Sequence, residues 1–403
     1  MKWRDGELKN PFSGKPLRRD SPHSFSDGET RFPVVAEIPF LRAGRDAVRE
    51  RILNLLDAGD ERNALVLLLA EQDDWAQTAA PTSLDLEPLF ENENINLRDA
   101  MRCLKYGAVA DYFAYRWSDP TFLSGLNLLE NHLPNEAKKV FELCCGIGHY
   151  LREFELRNIE ATGADVVYSK LWLARKFVAP QAKLVCADAN FGFPFADESS
   201  DAAFCHDAFY FLPDKRNAAE ELKRATGGAI LIGHAHNAAA ENFSSGAAIS
   251  AREYAALFAD ENAEVCFYDD AELTASVIEN RLPKKRTIAE LNNAAAIDLI
   301  FRCAKNNEKT KRRESFLVPT ARRELRINPL LRGADGEIFR EPRYPSERYG
   351  NEYAALSDYL ILSAQEIDLL KKMPHTVTGN WNVDEKFIEY ARRRILLDLP
   401  ENW

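Results

Sequence analysis

The chain contains no run of apolar residues approaching 18, no Cys-x-x-Cys pair and no Gly-x-Gly-x-x-Gly. The first absence argues against a membrane span, and Met1-Lys2-Trp3-Arg4-Asp5 leads into polar sequence without the apolar core of a signal peptide. The second leaves the seven cysteines as an odd set. Cys144, Cys145 and Cys186 fall in apolar strand ends, so they read as reduced core residues of a cytoplasmic protein. The third counts against a nicotinamide dinucleotide enzyme. An excess of positive charge is also missing: 52 Lys and Arg face 63 Asp and Glu, a net charge of -11. That is poor electrostatics for nucleic acid, where Lys and Arg on phosphate supply most of the affinity. Internal repeats and low-complexity tracts are absent. At 403 residues, two or three domains are expected.

What is present begins with Val140-Phe141-Glu142-Leu143-Cys144-Cys145-Gly146-Ile147-Gly148-His149-Tyr150. An apolar strand breaks into a glycine turn, and Leu151-Arg152-Glu153-Phe154 starts a helical pattern. A strand, a tight turn and a helix N-terminus can hold a nucleotide-like ligand. The stretch resembles motif I of the class I S-adenosylmethionine-dependent methyltransferases, acidic-x-Gly-x-Gly-x-Gly, with Glu142 as the acid and Cys144 where the first glycine usually stands.

Further landmarks follow in order. Ala161-Thr162-Gly163-Ala164-Asp165 ends a second strand in an acid about 20 residues on, where ribose hydroxyls can be bound. Lys183 to Asp188 ends a third strand in another acid. Phe193-Pro194-Phe195-Ala196-Asp197, Ser200 to Phe204 and Cys205-His206-Asp207-Ala208-Phe209-Tyr210 are similar to the same family's run around its fourth strand. Gly227 to Gly233 supplies a fifth. The resemblance implies cofactor contacts from Glu142, Cys144, Gly146, Gly148, Tyr150, Asp165, Val166, Asp188, Ala189 and His206.

The amino-terminal segment, Leu8 to Leu17 followed by Asp27 to Leu41, resembles the zinc-ribbon-like tRNA-methyltransferase activator family. Asn10 and Ser13 occupy that family's cysteine positions, and a structural zinc needs about four N or S ligands. The expectation is a small β unit without metal, held by Phe32, Val34, Ile38 and Phe40; an unrelated hairpin is the alternative.

Helical spacing runs over 46–56, 63–74 and 97–115. In the resembled family the helices before motif I form a lid, which makes Tyr106, Tyr112, Tyr115, Arg116 and Trp117 candidates. Tyr112 and Arg116 are assigned to the cofactor and Trp117 to the substrate; plain helix packing is the alternative for each. Gly233-His234-Ala235-His236-Asn237 sits at the carboxyl end of the fifth strand, where ligands bind in open α/β sheets. Histidine titrates near neutral pH and can take a proton from a hydroxyl, so His236 and His234 are candidate catalytic bases, with His206 in reserve. Asp207, Tyr210 and Asn237 are assigned to the substrate. His-x-His beside a carboxylate can also bind a metal; none is expected here.

The expected architecture is α/β: a Rossmann-like class I methyltransferase sheet with helices on both faces, a small amino-terminal β module, a helical lid and a β-rich carboxyl-terminal appendage. The boundaries are 1–45 for the zinc-ribbon-like module, 46–130 for the helical linker and lid, 131–307 for the cofactor-binding domain and 308–403 for an α+β appendage. Short strands are expected at 316–319, 325–330 and 338–340, a basic cluster from Lys305 to Arg313, and an amphipathic helix at 384–397. The activity expected is methyl transfer from S-adenosylmethionine to a small-molecule hydroxyl. Alternatives are a nucleic-acid or protein methyltransferase, or a cofactor binder without transfer. The partner expected is a small molecule, with a homodimer allowed and neither membrane nor nucleic acid.

Overall fold

The computed structural model describes residues 2–72, 78–242, 246–303, 314–320, 323–374, 376–377 and 384–403. The basic cluster and the ends of some expected elements, such as Asp74, lie outside the described residues. Seven strands build the main sheet: β1 (Lys139–Leu143), β2 (Glu160–Asp165), β3 (Lys183–Cys186), β4 (Ser200–His206), β5 (Thr226–His236), β6 (Ala263–Asp269) and β7 (Ala296–Cys303). Their order is β6-β7-β5-β4-β1-β2-β3. The first five strands run parallel, and β7 inserts antiparallel between β5 and β6. Val140 to Leu143 are buried on both faces, as a central parallel strand requires. The expected α/β sheet is therefore present. The 296–301 stretch, readable as helix or strand, is a strand because it has a partner on each side.

Four helices carry the site: α1 (Val109–Tyr115), α2 (Pro120–His132), α3 (His149–Leu156) and α4 (Asp270–Ile278). The helix expected over 97–115 is broken, because Lys105 and Gly107 take left-handed φ values of 55° and 56°. A helix over Leu97–Cys103 precedes the break and α1 follows it. Asp119 caps α2 by accepting the Phe122 amide at 2.9 Å, and Pro120 stands in the first turn, where its missing N–H costs nothing.

The amino-terminal residues form four short antiparallel strands, 18–21, 24–26, 31–35 and 38–39. Phe32, Val34, Ile38 and Phe40 are buried there. At the two positions resembling cysteine ligands, Asn10 Nδ2 and the Ser13 hydroxyl both donate to Asp27 Oδ2, at 2.7 and 2.9 Å. The amides of Glu29 and Thr30 donate to its Oδ1. A carboxylate thus gathers the loops of this unit. The unit also covers the sheet edge: Phe40 bridges Cys186, and the Leu41 amide donates to the Cys186 carbonyl at 2.7 Å.

In the carboxyl-terminal region, only Leu325–Ile327 of the three expected strands forms; it pairs with 376–377 and 396–397. Phe316 to Pro319 is irregular, and Ile338 makes an isolated bridge to Arg332. The tail helix spans Glu385–Arg392 and stops early because Arg394 turns left-handed, at φ 57°. This region packs against the end of α1: Arg394 Nε donates to the Trp117 carbonyl at 2.8 Å, and Tyr349 Oη to the Tyr115 carbonyl at 3.2 Å.

Candidate active site

The glycine turn after β1 has three left-handed residues, Cys144, Gly146 and Gly148, with φ of 55°, 55° and 84°. Two of them are the residue suited to that region; Cys144 adopts it with a side chain, a strain of roughly 1–2 kcal/mol. Gly148 also lets α3 start close to its neighbours, since a Cβ there would lie 3.2 Å from that of Ala174. The Gly146 amide donates to Asp165 Oδ2 at 3.0 Å, and the Val167 amide to Asp165 Oδ1 at 2.9 Å. Asp165 is thus buried and aimed by backbone amides on two sides. Asp188 accepts from the amide of Asn190 and from its side chain, both at 2.9 Å, and Val166 and Ala189 are the neighbours of these two acids. Glu142 is buried, its carboxyl pushed well up by burial, and its Oε2 has no hydrogen-bond partner among the described residues.

Above the turn, α1 and the residues after it form a closed cover. A Cβ on Gly146 would lie 3.3 Å from Phe113 Cε1, so that ring sits against the turn. Arg116, buried, donates to Asp207 Oδ2 at 2.9 Å, and its other terminal nitrogen is 3.3 Å from His206 Nδ1. Tyr112 Oη donates to the same Asp207 oxygen at 2.8 Å. Tyr150 Oη lies 3.3 Å from His206 Nδ1. His206 Nε2 faces the Ser124 hydroxyl at 3.4 Å. Burial and the Arg116 charge depress the His206 pKa to about 3, so the ring is neutral, with polar groups facing both nitrogens.

The last turns of β5 hold the other two histidines. The register between β5 and β7 slips between Ile297 and Leu299, so Gly233 and His234 together oppose Asp298, a bulge of the kind that re-aims side chains. His234 takes φ 48°, and its amide donates to Asp298 Oδ1 at 3.0 Å. Its Nδ1 lies 3.0 Å from Asp270 Oδ2 and its Nε2 3.9 Å from Asp207 Oδ1. Although burial opposes it, the charges of Asp270 and Asp207 raise the His234 pKa to about 9. The ring stacks with His206 at 6.1 Å and meets His236 edge-on at 5.3 Å. His236 stacks on Tyr210 at 3.8 Å, and Tyr210 Oη donates to Asp207 Oδ1 at 3.2 Å.

His206, His234, His236, Asp207, Tyr210, Tyr112, Arg116 and Tyr150 therefore form one contiguous cluster beside the glycine turn. Two assigned substrate residues lie elsewhere. Trp117 is fully buried, 4.4 Å from the His149 ring. Asn237 is buried with its amide nitrogen donating to the Leu291 and Ala294 carbonyls at 3.0 Å each, which secures the loop after β5. Sequence reasoning missed Asp270, Asp298, Ser124 and Phe113. An acid opening α4 directly after β6, and an acid inside the apolar run Ala296 to Phe301, were the available signals for the first two.

Residues 141–232 match the methyltransferase domain family. The chain is an enzyme carrying that domain, with S-adenosylmethionine as its cofactor. No curated protein sequence matches. Among solved structures, a Haloferax volcanii complex of a methyltransferase activator with a methyltransferase is similar at 19% identity, covering 53% of this chain and all of that one, with TM-score 0.37. A SAM-dependent methyltransferase of Thermotoga maritima overlays at 19% identity over 48% of this chain and 93% of its own, TM-score 0.35. The residues present fit the cofactor. An unpartnered buried Glu142 oxygen suits an ammonium group and the aimed Asp165 carboxylate suits a diol, while the glycines permit close backbone approach.

Proposed function

We propose that the protein methylates a hydroxyl oxygen of a small molecule in the cytoplasm. The observation that carries this reading is the convergence of His234, His236 and Asp207 at the carboxyl ends of β4, which neighbours the strand leading into the cofactor turn, and of β5 beyond it. When bound, S-adenosylmethionine supplies an electrophilic methyl on a sulfonium. Asp165, aimed by the Gly146 amide, would hold it, with Glu142 facing its charged end. The chain's remaining task is to align the acceptor and take its proton.

Among the three histidines, His206 is enclosed by Arg116, Tyr150 and Ser124. His234, held as a cation by two carboxylates, suits stabilising developing negative charge on the acceptor oxygen. That leaves His236 as the proton acceptor, its ring fixed by Tyr210. The acidic net charge and the six free cysteines among the described residues agree with a small-molecule acceptor and a cytoplasmic setting. Among the described residues, no helix is long and apolar enough to cross a membrane. We read the amino-terminal unit as a metal-free relative of the activator module, with Asp27 gathering the loops a metal would otherwise tie.

The test compares turnover and S-adenosylhomocysteine affinity in His206→Ala, His234→Ala and His236→Ala against a panel of hydroxylated metabolites. Loss of a general base lowers turnover by about 10²–10⁴ while cofactor affinity holds. If all three variants turn over within a few-fold of the parent, no imidazole is the base.

A further inference from the structure

We infer that the rim shared by β4 and β5 binds one divalent first-row transition-metal ion through Asp207, His234 and His236. One donor atom from each of the three lies within 4.8 Å of the others. One carboxylate with two imidazoles suits zinc, iron or cobalt, whereas magnesium and calcium take oxygen ligands.

Three features beyond proximity support the assignment. The first is orientation. His234 offers Nε2 towards Asp207, while its Nδ1 lies 3.0 Å from Asp270 Oδ2. A carboxylate beside the far nitrogen is the usual partner of a metal-ligating imidazole; here the contact is one of charge, without an aligned hydrogen bond. Asp270 is itself held by the Ser124 hydroxyl at 2.6 Å.

The second is backbone conformation. Asp207 and His234 both adopt left-handed φ, 55° and 48°, uncommon for any residue with a side chain though more accessible to Asp and His than to most. Such strain persists where the surroundings over-determine it, typically at functional sites. Here it turns both side chains onto one point.

The third is charge. Asp207, Asp270 and Asp298 converge around His234, with the Arg116 guanidinium as the counter-charge on Asp207. Asp298 Oδ2 has no hydrogen-bond partner among the described residues, and burial beside Asp270 pushes its carboxyl well up. A dication displacing the proton of His234 would balance the Asp207 and Asp270 carboxylates. A second triplet, His206 with Asp270 and Asp298, also has donors close together. It is wholly buried and His206 is enclosed, whereas the side chains of His234 and Asp207 keep 16% and 9% exposure, a route for entry.

The inference concerns the same rim as the proposed function and reassigns His234 and His236 there from proton handling to metal ligation. A cation binding the acceptor oxygen lowers the pKa of its hydroxyl and takes over the part given above to His236. The test uses the untagged full-length chain, stripped by chelator, equilibrated with Zn²⁺ or Co²⁺ and desalted. One ion per chain by elemental analysis is expected, with Co²⁺ absorption bands reporting nitrogen ligation and no competition from Mg²⁺.

His234→Ala and His236→Ala are each expected to lower affinity at least 10-fold. Asp270→Asn, at a positioning residue, should weaken binding by about 10- to 100-fold. His23→Ala, in the amino-terminal unit, should change nothing. If His236→Ala does not fold, Asp207→Asn and Asp270→Asn supply the comparison. Negligible retention of both ions, or retention unchanged in the site variants, overturns the inference. S-adenosylhomocysteine affinity on the same samples separates this failure from failure of the methyl-transfer reading, since it requires no metal.

Discussion

Arg116 and Asp207 stand 91 residues apart in the chain, yet Nη1 of one lies 2.9 Å from Oδ2 of the other, with side chains only 3% and 9% exposed. This buried ion pair fastens the cover over the glycine turn to the end of β4. Arg116 also donates to Thr121 and faces His206, so one guanidinium organises two elements.

Arg116→Met leaves the Asp207 carboxylate buried without its partner, a loss of about 3–5 kcal/mol. Denaturant unfolding is expected to show a large drop in midpoint, and Asp207→Asn in the same chain should recover most of it. A single variant as stable as the parent would remove the pair from this role.

Asp165→Ala removes the carboxylate that accepts from the Gly146 and Val167 amides. Charge-assisted hydrogen bonds are worth roughly 1.5–3 kcal/mol, so S-adenosylhomocysteine should bind about 10- to 100-fold more weakly by calorimetry. Unchanged affinity would place the cofactor elsewhere.

Gly233→Ala puts a Cβ 2.3 Å from His206 Cδ2. Overpacking of this kind costs about 1–3 kcal/mol. Removing the ring in Gly233→Ala/His206→Ala should relieve the clash, so the double variant loses less stability than the two single losses added together. Strict additivity in unfolding experiments would show that the two residues do not touch.

His132 links α2 to the outer strands, with Nε2 3.0 Å from Tyr268 Oη and Nδ1 2.7 Å from Arg302. Burial, helped by the Arg302 charge, depresses its pKa from 6.5 to about 3. A histidine depressed in the folded chain stabilises it fully above its unfolded pKa and progressively less as pH falls from 6.5 towards 3. Between pH 7 and pH 4.5 this contributes on the order of 2–3 kcal/mol of acid sensitivity. His132→Gln should therefore lose less stability than the parent over that interval. Equal losses by urea titration at the two pH values would contradict the assignment.

The order of glycine turn, strand-ending acids and apolar strands was legible in the sequence because each depends on residues close in the chain. Backbone freedom at Gly146 and Gly148, the apolar run into Glu142 and the acid ending β2 are local signals that need no partner to be read. The strand identity of 296–301 was not, since only pairing on both sides distinguishes a buried strand from a buried helix. The histidines could be placed near one rim from strand order alone. Their roles could not: His206 is enclosed by Arg116, Tyr150 and Ser124, and His234 is held charged by Asp207 and Asp270. Those partners arrive from α2, α3 and α4 and from the residues just after α1 and β4, and a pKa or a ligand set is the sum of charges and burial that only tertiary packing brings together.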